Sequence, residues 1–365
     1  MNTYYRLIIV ALSLVIFNAC DQNYIDGISK VDPGEDQTPP VVLITSPTGD
    51  LIIPFTDTET DVEFRFEVTD DIEVQSVTLS LDGTQLKSYS DFIDYRRFLN
   101  SYTHENLAIG NHTVQIVATD MTGKSTTKTL AFEVSNKYTA KYAGEIFYMP
   151  FEAGLNMELI NEVNATKVGN PGFANGKIGK AYAGATDAYL TFPTTGLQGN
   201  QFSAVFWMKV NAVPDRAGIL VMSPEDPGNA GYPLVQNNRT TGFRFLRENA
   251  GGKQRFKLNV GNGTADVWFD GGTAADVDPA TGNWVHFAFT ISGTECVVYI
   301  NGQVVKQGAF TGIDWTGCNV FSIMSGAPRF TGWNHWSDLS LLDELRLFNK
   351  ALTQTEVQAI WNAEK

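Results

Sequence analysis

The ten residues RFTGWNHWSD, at positions 329–338, concentrate side chains that are suited to binding a ligand. The indole rings of Trp333 and Trp336 stand among glycine, asparagine, serine and threonine residues, which are typical of a loop. Large aromatic rings usually lie in a hydrophobic core, so a loop that carries two of them needs an explanation. A flat indole can cover the apolar face of a ligand whose edge is polar, and a pyranose ring is such a ligand.

Other residues could complete this contact. The hydroxyl edge of a sugar needs charged or amide partners, and four residues beside the tryptophans offer them: Arg329, Asn334, His335 and Asp338. Trp268, next to a glycine-rich turn, and Tyr232, in a long polar loop, could line the same opening. The alternative is that the loop tryptophans fold back and cap the edge of their domain.

One acidic triplet resembles a catalytic signature. The stretch ETDVEF, at 59–64, has the E-x-D-x-E spacing of a family of sandwich enzymes that cleave β-glucans with paired carboxylates. Glu59, Asp61 and Glu63 share the side of a predicted strand that is opposite Phe64, so we expect them to face water.

The rest of the chain offers no better catalytic set. Residues 140–365 hold no such triplet, and the neighbours Asp343 and Glu344 would point to opposite faces of a strand. The sequence also lacks the H-E-x-x-H, P-loop and G-x-S-x-G motifs. We therefore expect no catalytic residues, and a binding protein rather than an enzyme.

Length and charge limit the classes of protein. The chain has 365 residues, enough for one very large domain or two ordinary ones. Its 26 basic and 40 acidic residues give a formal charge of −14. Such a chain repels nucleic acid and anionic lipid headgroups, so neither is an expected partner.

The first residues predict export. The apolar run at 7–17 is shorter than the ~20 residues that a membrane-spanning helix needs. It ends in FNAC, which resembles the lipobox of bacterial lipoproteins. That resemblance implies a signal peptide at 1–19, a lipid on Cys20 and a flexible stalk at 20–38. The alternative is ordinary secretion, with Ala19 as the cleavage residue.

Two cysteines remain beyond Cys20. An exported protein meets an oxidising compartment, so Cys296 and Cys318 could form a disulfide. The sequence does not show whether their Cα atoms come close enough, and two buried thiols are the alternative.

Residues 39–136 alternate between apolar and polar side chains in several short stretches, which predicts strands with one buried face. Examples are Phe64 with Phe66, and Val77 with Leu79. Phrases such as DDIEVQSVTLSLDG and GNHTVQIVATDMTGKS resemble the bacterial immunoglobulin-like modules of surface proteins. The resemblance implies a β-sandwich that acts as a spacer.

Residues 140–365 alternate too, with longer and more aromatic strands. Asn301-Gly302 predicts a hairpin turn. Near the end, Thr353 and Glu356 form a capping box, and Val357 and Ile360 then share one face of a short predicted helix. We expect this helix to pack on the sandwich.

Several phrases in 145–361 resemble the laminin-G-like, concanavalin-A-like jelly roll: FYMPFEAG, GKIGKAYAGATDAYLTFP, FSAVFWMKV, NWVHFAFTISGTECVVYINGQVV and LLDELRLFNKALTQTEVQAIW. The expected fold class is therefore all-β, with an immunoglobulin-like sandwich followed by this jelly roll and a short C-terminal helix. The resemblance implies sugar binding or, in some members, sugar cleavage. It also implies one structural Ca²⁺, for which Glu152 and Asp343 are the matching positions.

This architecture is similar to the surface glycan-binding lipoproteins that accompany TonB-dependent glycan importers in Bacteroidetes. The resemblance implies an outer-membrane, lipid-anchored protein that captures polysaccharide or oligosaccharide for uptake. The lipoprotein would face the cell surface or, alternatively, the periplasm. Two other hypotheses remain: a glycoside hydrolase or lyase of the same fold, and an adhesin that binds protein or host matrix.

Overall fold

The computed structural model describes residues 34–365. The signal peptide at 1–19, the lipidation of Cys20 and most of the stalk therefore lie outside the described residues. The described chain forms two compact units, which are residues 34–53 with 57–136, and residues 54–56 with 137–365. Among the described residues, no helix combines the length and the apolar character that crossing a membrane requires.

The N-terminal unit consists of two sheets. Its strands are β1 (Val41–Ser46), β2 (Leu51–Ile52), β3 (Glu59–Thr69), β4 (Val74–Leu81), β5 (Thr84–Tyr89), β6 (Arg97–Ala108), β7 (Gly110–Asp120) and β8 (Ser125–Ser135). One sheet has the order β1-β3-β6 and the other β2-β8-β7-β4-β5. All pairs are antiparallel except β2 with β8.

The predicted alternation accounts for the core of this unit. Phe64 and Phe66 of β3 are buried together with Val77 and Leu79 of β4. The polar residues between them face outward, and Glu59 and its two acidic neighbours lie at the surface side of β3 as expected. The immunoglobulin-like assignment stays a prediction, and the strand order is compatible with it.

The C-terminal unit contains the remaining strands and the helix. In chain order they are β9 (Glu145–Met149), β10 (Met157–Glu158), β11 (Val163–Asn164), β12 (Thr166–Val168), β13 (Gly172–Asn175), β14 (Lys180–Ala183), β15 (Tyr189–Pro193), β16 (Phe202–Lys209), β17 (Arg216–Met222), β18 (Phe243–Ala250), β19 (Lys253–Gly261), β20 (Asp266–Asp270), β21 (Asp276–Val277), β22 (Trp284–Ile291), β23 (Glu295–Ile300), β24 (Gln303–Ala309), β25 (Val320–Ile323), β26 (Leu341–Phe348) and helix α1 (Gln354–Glu364). Three 3-10 helices span Glu152–Gly154, Gly272–Ala275 and Pro279–Thr281.

Two eight-stranded antiparallel sheets form a jelly-roll sandwich in this unit. The front sheet has the order β12-β15-β25-β17-β18-β19-β20, with β21 beside β19. The back sheet has the order β13-β14-β26-β16-β22-β23-β24, with β9 beside β26. The chain is thus mostly β-strand with one short C-terminal helix, which confirms the predicted fold class.

Phenylalanine rings fill the space between the two sheets. Phe206 and Phe287 of the back sheet stack with a centroid distance of 5.7 Å. Phe245 and Phe256 of the front sheet lie against them, with 4.2 Å between the Phe256 and Phe287 centroids. Because these rings come from alternate positions of their strands, the intervening residues must point to the outer faces.

Helix α1 covers the outer face of the back sheet. The capping box is present, since Thr353 Oγ1 accepts from the Glu356 amide and the Glu356 side chain accepts from the Thr353 amide. Val357 and Ile360 are buried against Val205 of β16. The packing predicted for this helix is confirmed, and it explains why β16 is buried on both faces.

A buried ionic cluster fastens the same helix. The Arg346 guanidinium lies 2.7 Å from carboxylate oxygens of both Glu145 and Glu344, and 3.1 Å from Glu364 of the helix. The Trp207 indole N–H donates to Glu364 at 3.0 Å. Breaking such a buried pair leaves an uncompensated charge, so the cluster fixes where the helix docks.

The predicted possibility of a disulfide between Cys296 and Cys318 is wrong, and the alternative holds, because both are free, buried thiols. Cys296 faces the core between the sheets from β23. Cys318 lies 3.5 Å from the Thr241 hydroxyl. Burial raises the pKa of both thiols, so both stay protonated and unreactive at neutral pH.

Candidate functional site

The outer face of the front sheet carries a second hydrophobic cluster. Val221 of β17 and Leu246 of β18 are buried there with Phe330, and Trp268 of β20 packs against them. Two loops cover this face, namely residues 223–242 between β17 and β18 and residues 324–340 between β25 and β26. We refer to them as the adjoining loop and the tryptophan loop.

Hydrogen bonds join the two loops along a short ladder. The amides of Thr331 and Gly332 both donate to the Gln236 carbonyl, at 2.9 and 3.0 Å. The Gln236 amide donates to the Thr331 hydroxyl at 3.1 Å, and that hydroxyl donates to the Leu234 carbonyl at 2.6 Å. Both loops are therefore ordered as one structure.

Three residues that we predicted to contact a ligand are buried under the loops, namely Arg329, His335 and Asp338. Asp338 is fully buried and pairs with the fully buried Arg247, with Nε and Oδ2 2.5 Å apart. His335 is also fully buried, and its Nε2 lies 3.1 Å from Glu248 of β18. The prediction that Asp338 and His335 contact a ligand is therefore corrected. Both side chains are buried and hold the tryptophan loop on the sheet.

Arg329 needs the same correction. It is 8% exposed, and its guanidinium donates to Glu225 at 2.6 Å and to Asn319 at 3.0 Å. A buried charge costs several kcal/mol unless it is paired, which explains why the loop keeps these polar groups inside, against partners. The three residues position the loop, whereas the sequence predicted direct contact.

Trp333 is the centre of the exposed surface. Its ring is 38% exposed and stacks on Trp268, with 5.9 Å between centroids and 25° between planes. The edge of Phe330 supports it at 5.8 Å, and the Arg239 guanidinium lies 4.5 Å from its centroid. The two tryptophans, which are 65 positions apart in the sequence, thus form one aromatic platform.

The turn beside Trp333 depends on Asn334. This residue is exposed and adopts a φ of 63°, the left-handed region that asparagine tolerates better than most residues. Its amide donates to the Thr331 carbonyl at 2.9 Å. Asn334 is exposed and directly follows Trp333 in the chain, and its contact with a ligand stays a prediction.

Trp336 is 40% exposed on the same loop. Its carbonyl accepts from the Gly218 amide of β17, and the neighbouring Ser337 bridges to Ser325. Gly218 and Gly326 approach so closely that a Cβ on Gly218 would lie 2.2 Å from the Gly326 nitrogen. The glycine pair lets the loop lie flat on the strand.

The adjoining loop adds a partly apolar rim. Tyr232 is 40% exposed, and its hydroxyl donates to Glu225 at 3.3 Å. Leu234 and Val235 follow it, and Leu234 is 75% exposed. Sequence reasoning identified Tyr232 but missed the other two, because apolar residues in a loop are ordinarily assigned to a core.

A charged row borders the platform on β18, β19 and β20. Lys257 Nζ lies 2.9 Å from Glu248 and 3.2 Å from Asp270. Hydrogen bonds from His335 and then Lys257 lower the pKa of Glu248 to about 2, against the opposing effect of burial. Period-two alternation opposite Phe243 and Phe245 could have placed Glu248 on this outer face.

The predicted calcium ligands lie elsewhere, around the loop before β14. Asp343 accepts from the amides of Lys177 and Ile178 at 2.7 and 3.0 Å, and Glu152 accepts from the Lys180 amide at 3.0 Å. Calcium takes six to eight oxygen ligands, and no cluster of three metal-binding side chains occurs within residues 34–365. In this arrangement the Asp343 carboxylate faces N–H donors, which a calcium ion would not tolerate as neighbours. The calcium site stays a prediction.

Within the C-terminal unit, residues 184–358 match the family model of the concanavalin A-like lectin/glucanases superfamily. A search of curated proteins found no match to the chain.

Among solved structures, the chain is similar to domain 4 of AbnA, a GH43 extracellular arabinanase from Geobacillus stearothermophilus, in complex with arabinotriose. The identity is 22%, the coverage is 59% of this chain and 97% of that one, and the TM-score is 0.46.

Two toxin fragments are similar as well. The binding domain of botulinum neurotoxin DC in complex with SialylT shares 12% identity and covers 61% of this chain, with a TM-score of 0.42. The binding domain of Paraclostridial Mosquitocidal Protein 1 shares 16%, covers 60% and has a TM-score of 0.40. The chain spans 52% of each toxin fragment. Similarity at these levels carries no information about function.

Proposed function

We propose that the C-terminal unit binds polysaccharide on the outer face of its front sheet. The observation that carries the proposal is the Trp268–Trp333 platform, which is half-exposed although both rings are large and apolar. A sugar ring offers apolar C–H faces that can lie on an indole, and burying each contact is favourable.

The surroundings of the platform suit the polar edge of the same ligand. Asn334 and Tyr232 place an amide and a hydroxyl at the exposed rim, and Trp336 offers a further indole to a neighbouring sugar unit. Exposed aromatic rings normally favour collapse onto the protein. Here Phe330 and the Arg239 guanidinium already support Trp333, so the platform keeps its shape without a ligand.

The charged row favours binding over glycoside cleavage. A general acid must be protonated near the working pH, and the lowered pKa of Glu248 keeps it ionised. Its neighbour Asp270 shares the same lysine. Glu248 and Asp270 are thus ionised partners of Lys257, and neither supplies the general acid that glycoside cleavage needs.

We further propose the cellular context that the sequence predicts. The lipobox-like FNAC supports lipidation at Cys20 and an outer-membrane lipoprotein at the cell surface. The N-terminal two-sheet unit would serve as an immunoglobulin-like spacer. Capture of polysaccharide for a TonB-dependent importer is the role that fits these features together.

Affinity electrophoresis of the purified protein against plant, algal and host polysaccharides tests the binding proposal. We expect retarded migration with at least one glycan, and a loss of affinity of about tenfold or more for Trp333→Ala, because truncating a central aromatic anchor removes most of its contact. Trp284→Ala on the back sheet is the matched control and should bind like the wild type.

Other outcomes would contradict the proposal. Release of reducing ends would identify an enzyme. Binding that persists in Trp333→Ala and Trp336→Ala, but disappears when the target is treated with protease, would identify an adhesin for protein. Absence of binding to every glycan would leave the platform unexplained.

A further inference from the structure

Of the cations on the two loops and on β17 to β19, all but the exposed Lys253 lie within 4.0 Å of a carboxylate oxygen or are buried. Six arginine and lysine side chains of the two loops and of β17 to β19 lie within 4.0 Å of a carboxylate oxygen. These are Arg216, Arg239, Arg247, Arg255, Lys257 and Arg329. Arg216 is the loosest of these pairs: its side chain is 41% exposed, it lies 4.0 Å from Glu248, and it also donates to the Trp333 carbonyl at 3.2 Å. In the other five pairs the cation lies 3.1 Å or less from the carboxylate, so an anionic ligand must compete there with a carboxylate that is already in place.

Arg239, which lies against the platform, is also paired with a carboxylate. Its guanidinium lies over the Trp333 ring, and its Nε donates to Asp266 of β20 at 3.1 Å. Asp266 is held in turn by Asn259, whose side-chain amide donates to it at 2.7 Å. The cation nearest the exposed indole is thus neutralised by a carboxylate that is itself fixed by the sheet.

The flanks repeat this pattern. Arg255 binds Asp276 through two nitrogens, at 2.6 and 3.0 Å, which is the bidentate geometry that a sulfate or uronate would otherwise seek. Lys257 lies between Glu248 and Asp270. Lys253, at the turn between β18 and β19, lies close enough to Asp276 to lower the pKa of that carboxyl, after the larger effect of Arg255.

Arg244 has no carboxylate partner but is inaccessible. It is fully buried under the adjoining loop, where its guanidinium donates to the carbonyls of Asn238 and Thr241, at 2.8 and 2.5 Å. It holds the loop down and does not present charge to a ligand.

We infer that the ligand of this surface is a neutral glycan, and that sulfated and uronate-rich polymers are excluded. The inference rests on the proposed function and adds the chemical class of the ligand. A polyanion would have to displace a carboxylate from each of the five closely paired cations that it bound, and it would meet the other carboxylates as like charges. A neutral sugar needs no displacement, because its face lies on indole and its hydroxyls bond to either partner of an ion pair.

Binding to neutral and anionic glycans of matched length, at low and high salt, tests this inference. We expect affinity for the best neutral glycan to exceed that for heparin, polygalacturonate or alginate about tenfold or more, and to change less than about twofold between ~0.05 and ~0.5 M NaCl. Tighter, Trp333-dependent binding of an anionic polymer would overturn the inference and leave the proposed function intact. No binding to either class overturns both.

A gain-of-function variant provides an independent measurement. Asp266→Asn keeps a hydrogen-bonding side chain and leaves Arg239 without its carboxylate, so we expect at least about fivefold tighter binding of an anionic glycan at low salt. Asp187→Asn removes the same charge from an exposed position of the same unit and should leave that affinity unchanged. Equal behaviour of the two variants would overturn the inference, because the pairing of Arg239 would then be irrelevant.

Discussion

Individual residues of the tryptophan loop divide into two groups that their types do not reveal. Trp333, Asn334 and Trp336 are exposed, whereas His335 and Asp338, one or a few positions away, are fully buried. The partner of Asp338 is Arg247, which is 91 positions distant in the sequence. The sequence shows that Asp338 lies two positions after Trp336. It does not show that Arg247 of β18 contacts Asp338 in the folded chain.

The first prediction concerns this buried pair. Asp338→Ala leaves the Arg247 guanidinium buried and uncompensated, so we expect a loss of about 3 kcal/mol in the free energy of unfolding. Chemical denaturation followed by circular dichroism measures it. The double variant Arg247→Met with Asp338→Leu is the control and should recover most of the loss. A single variant as stable as the wild type would contradict the role assigned to the pair.

The second prediction uses a buried histidine. His286 of β22 is fully buried against Trp207, and burial lowers its pKa to about 3 from 6.5. The folded protein therefore binds this proton less readily than the unfolded chain. The contribution of the neutral ring to stability is complete above pH 6.5, and it is lost progressively as the pH falls from 6.5 towards 3.

His286→Phe keeps a ring beside Trp207 and removes the titration. We expect the advantage of the wild type to shrink as the pH falls, so that the stability difference between variant and wild type changes between pH 7 and 5 by about 1 kcal/mol or more. Burial raises the pKa of Asp343 and Glu344 and acts in the opposite direction. Both are present in the two proteins, so the difference isolates the imidazole. A constant difference would show that His286 does not titrate.

At the scale of elements, the tryptophan loop folds back on itself because Gly326 permits a close approach of its backbone. A Cβ on Gly326 would lie 2.1 Å from the His335 carbonyl oxygen and 2.2 Å from that of Phe330. Glycine is therefore required inside the turn for steric reasons. The sequence indicated a loop here but could not show that its two ends fold onto each other.

The third prediction in this series tests that approach. Gly326→Ala must displace the tryptophan loop, so we expect glycan affinity to fall about tenfold while the jelly-roll core remains folded. Tryptophan fluorescence and affinity electrophoresis report the two effects separately. Gly228→Ala in the adjoining loop, where a Cβ meets nothing within 4 Å, is the matched control. Unchanged binding by Gly326→Ala would separate the loop position from ligand binding.

Local elements were predictable where one short-range rule decides them. Alternation gave the buried faces of β3, β4 and β16, Asn301-Gly302 gave the β23–β24 turn, and the capping box gave the start of α1. The stacking of Trp268 on Trp333 was not predictable, because it depends on which strand lies under which loop. Sequence proximity does not contain that information.

At the scale of the whole molecule, the net charge of the chain and the local ion pairs act on an anionic ligand at different distances. The formal charge of −14 disfavours polyanions at long range, where salt screens it. The ion pairs around the platform act at contact distance, where screening is weak. If the neutral-glycan inference is right, exclusion of anionic polymers should persist at high ionic strength, when the net charge of the chain no longer matters.

Helix α1 and the two loops occupy opposite outer faces of the C-terminal unit, because α1 packs on the back sheet and the loops on the front sheet. If the platform binds glycan as proposed, the front sheet of each C-terminal unit offers a long polymer one binding surface, because α1 covers the back sheet. We expect such a polymer to dissociate from one copy about as readily as a short oligomer. Firm retention then becomes a matter of valence, set by how densely copies are displayed side by side along the same strand of polysaccharide.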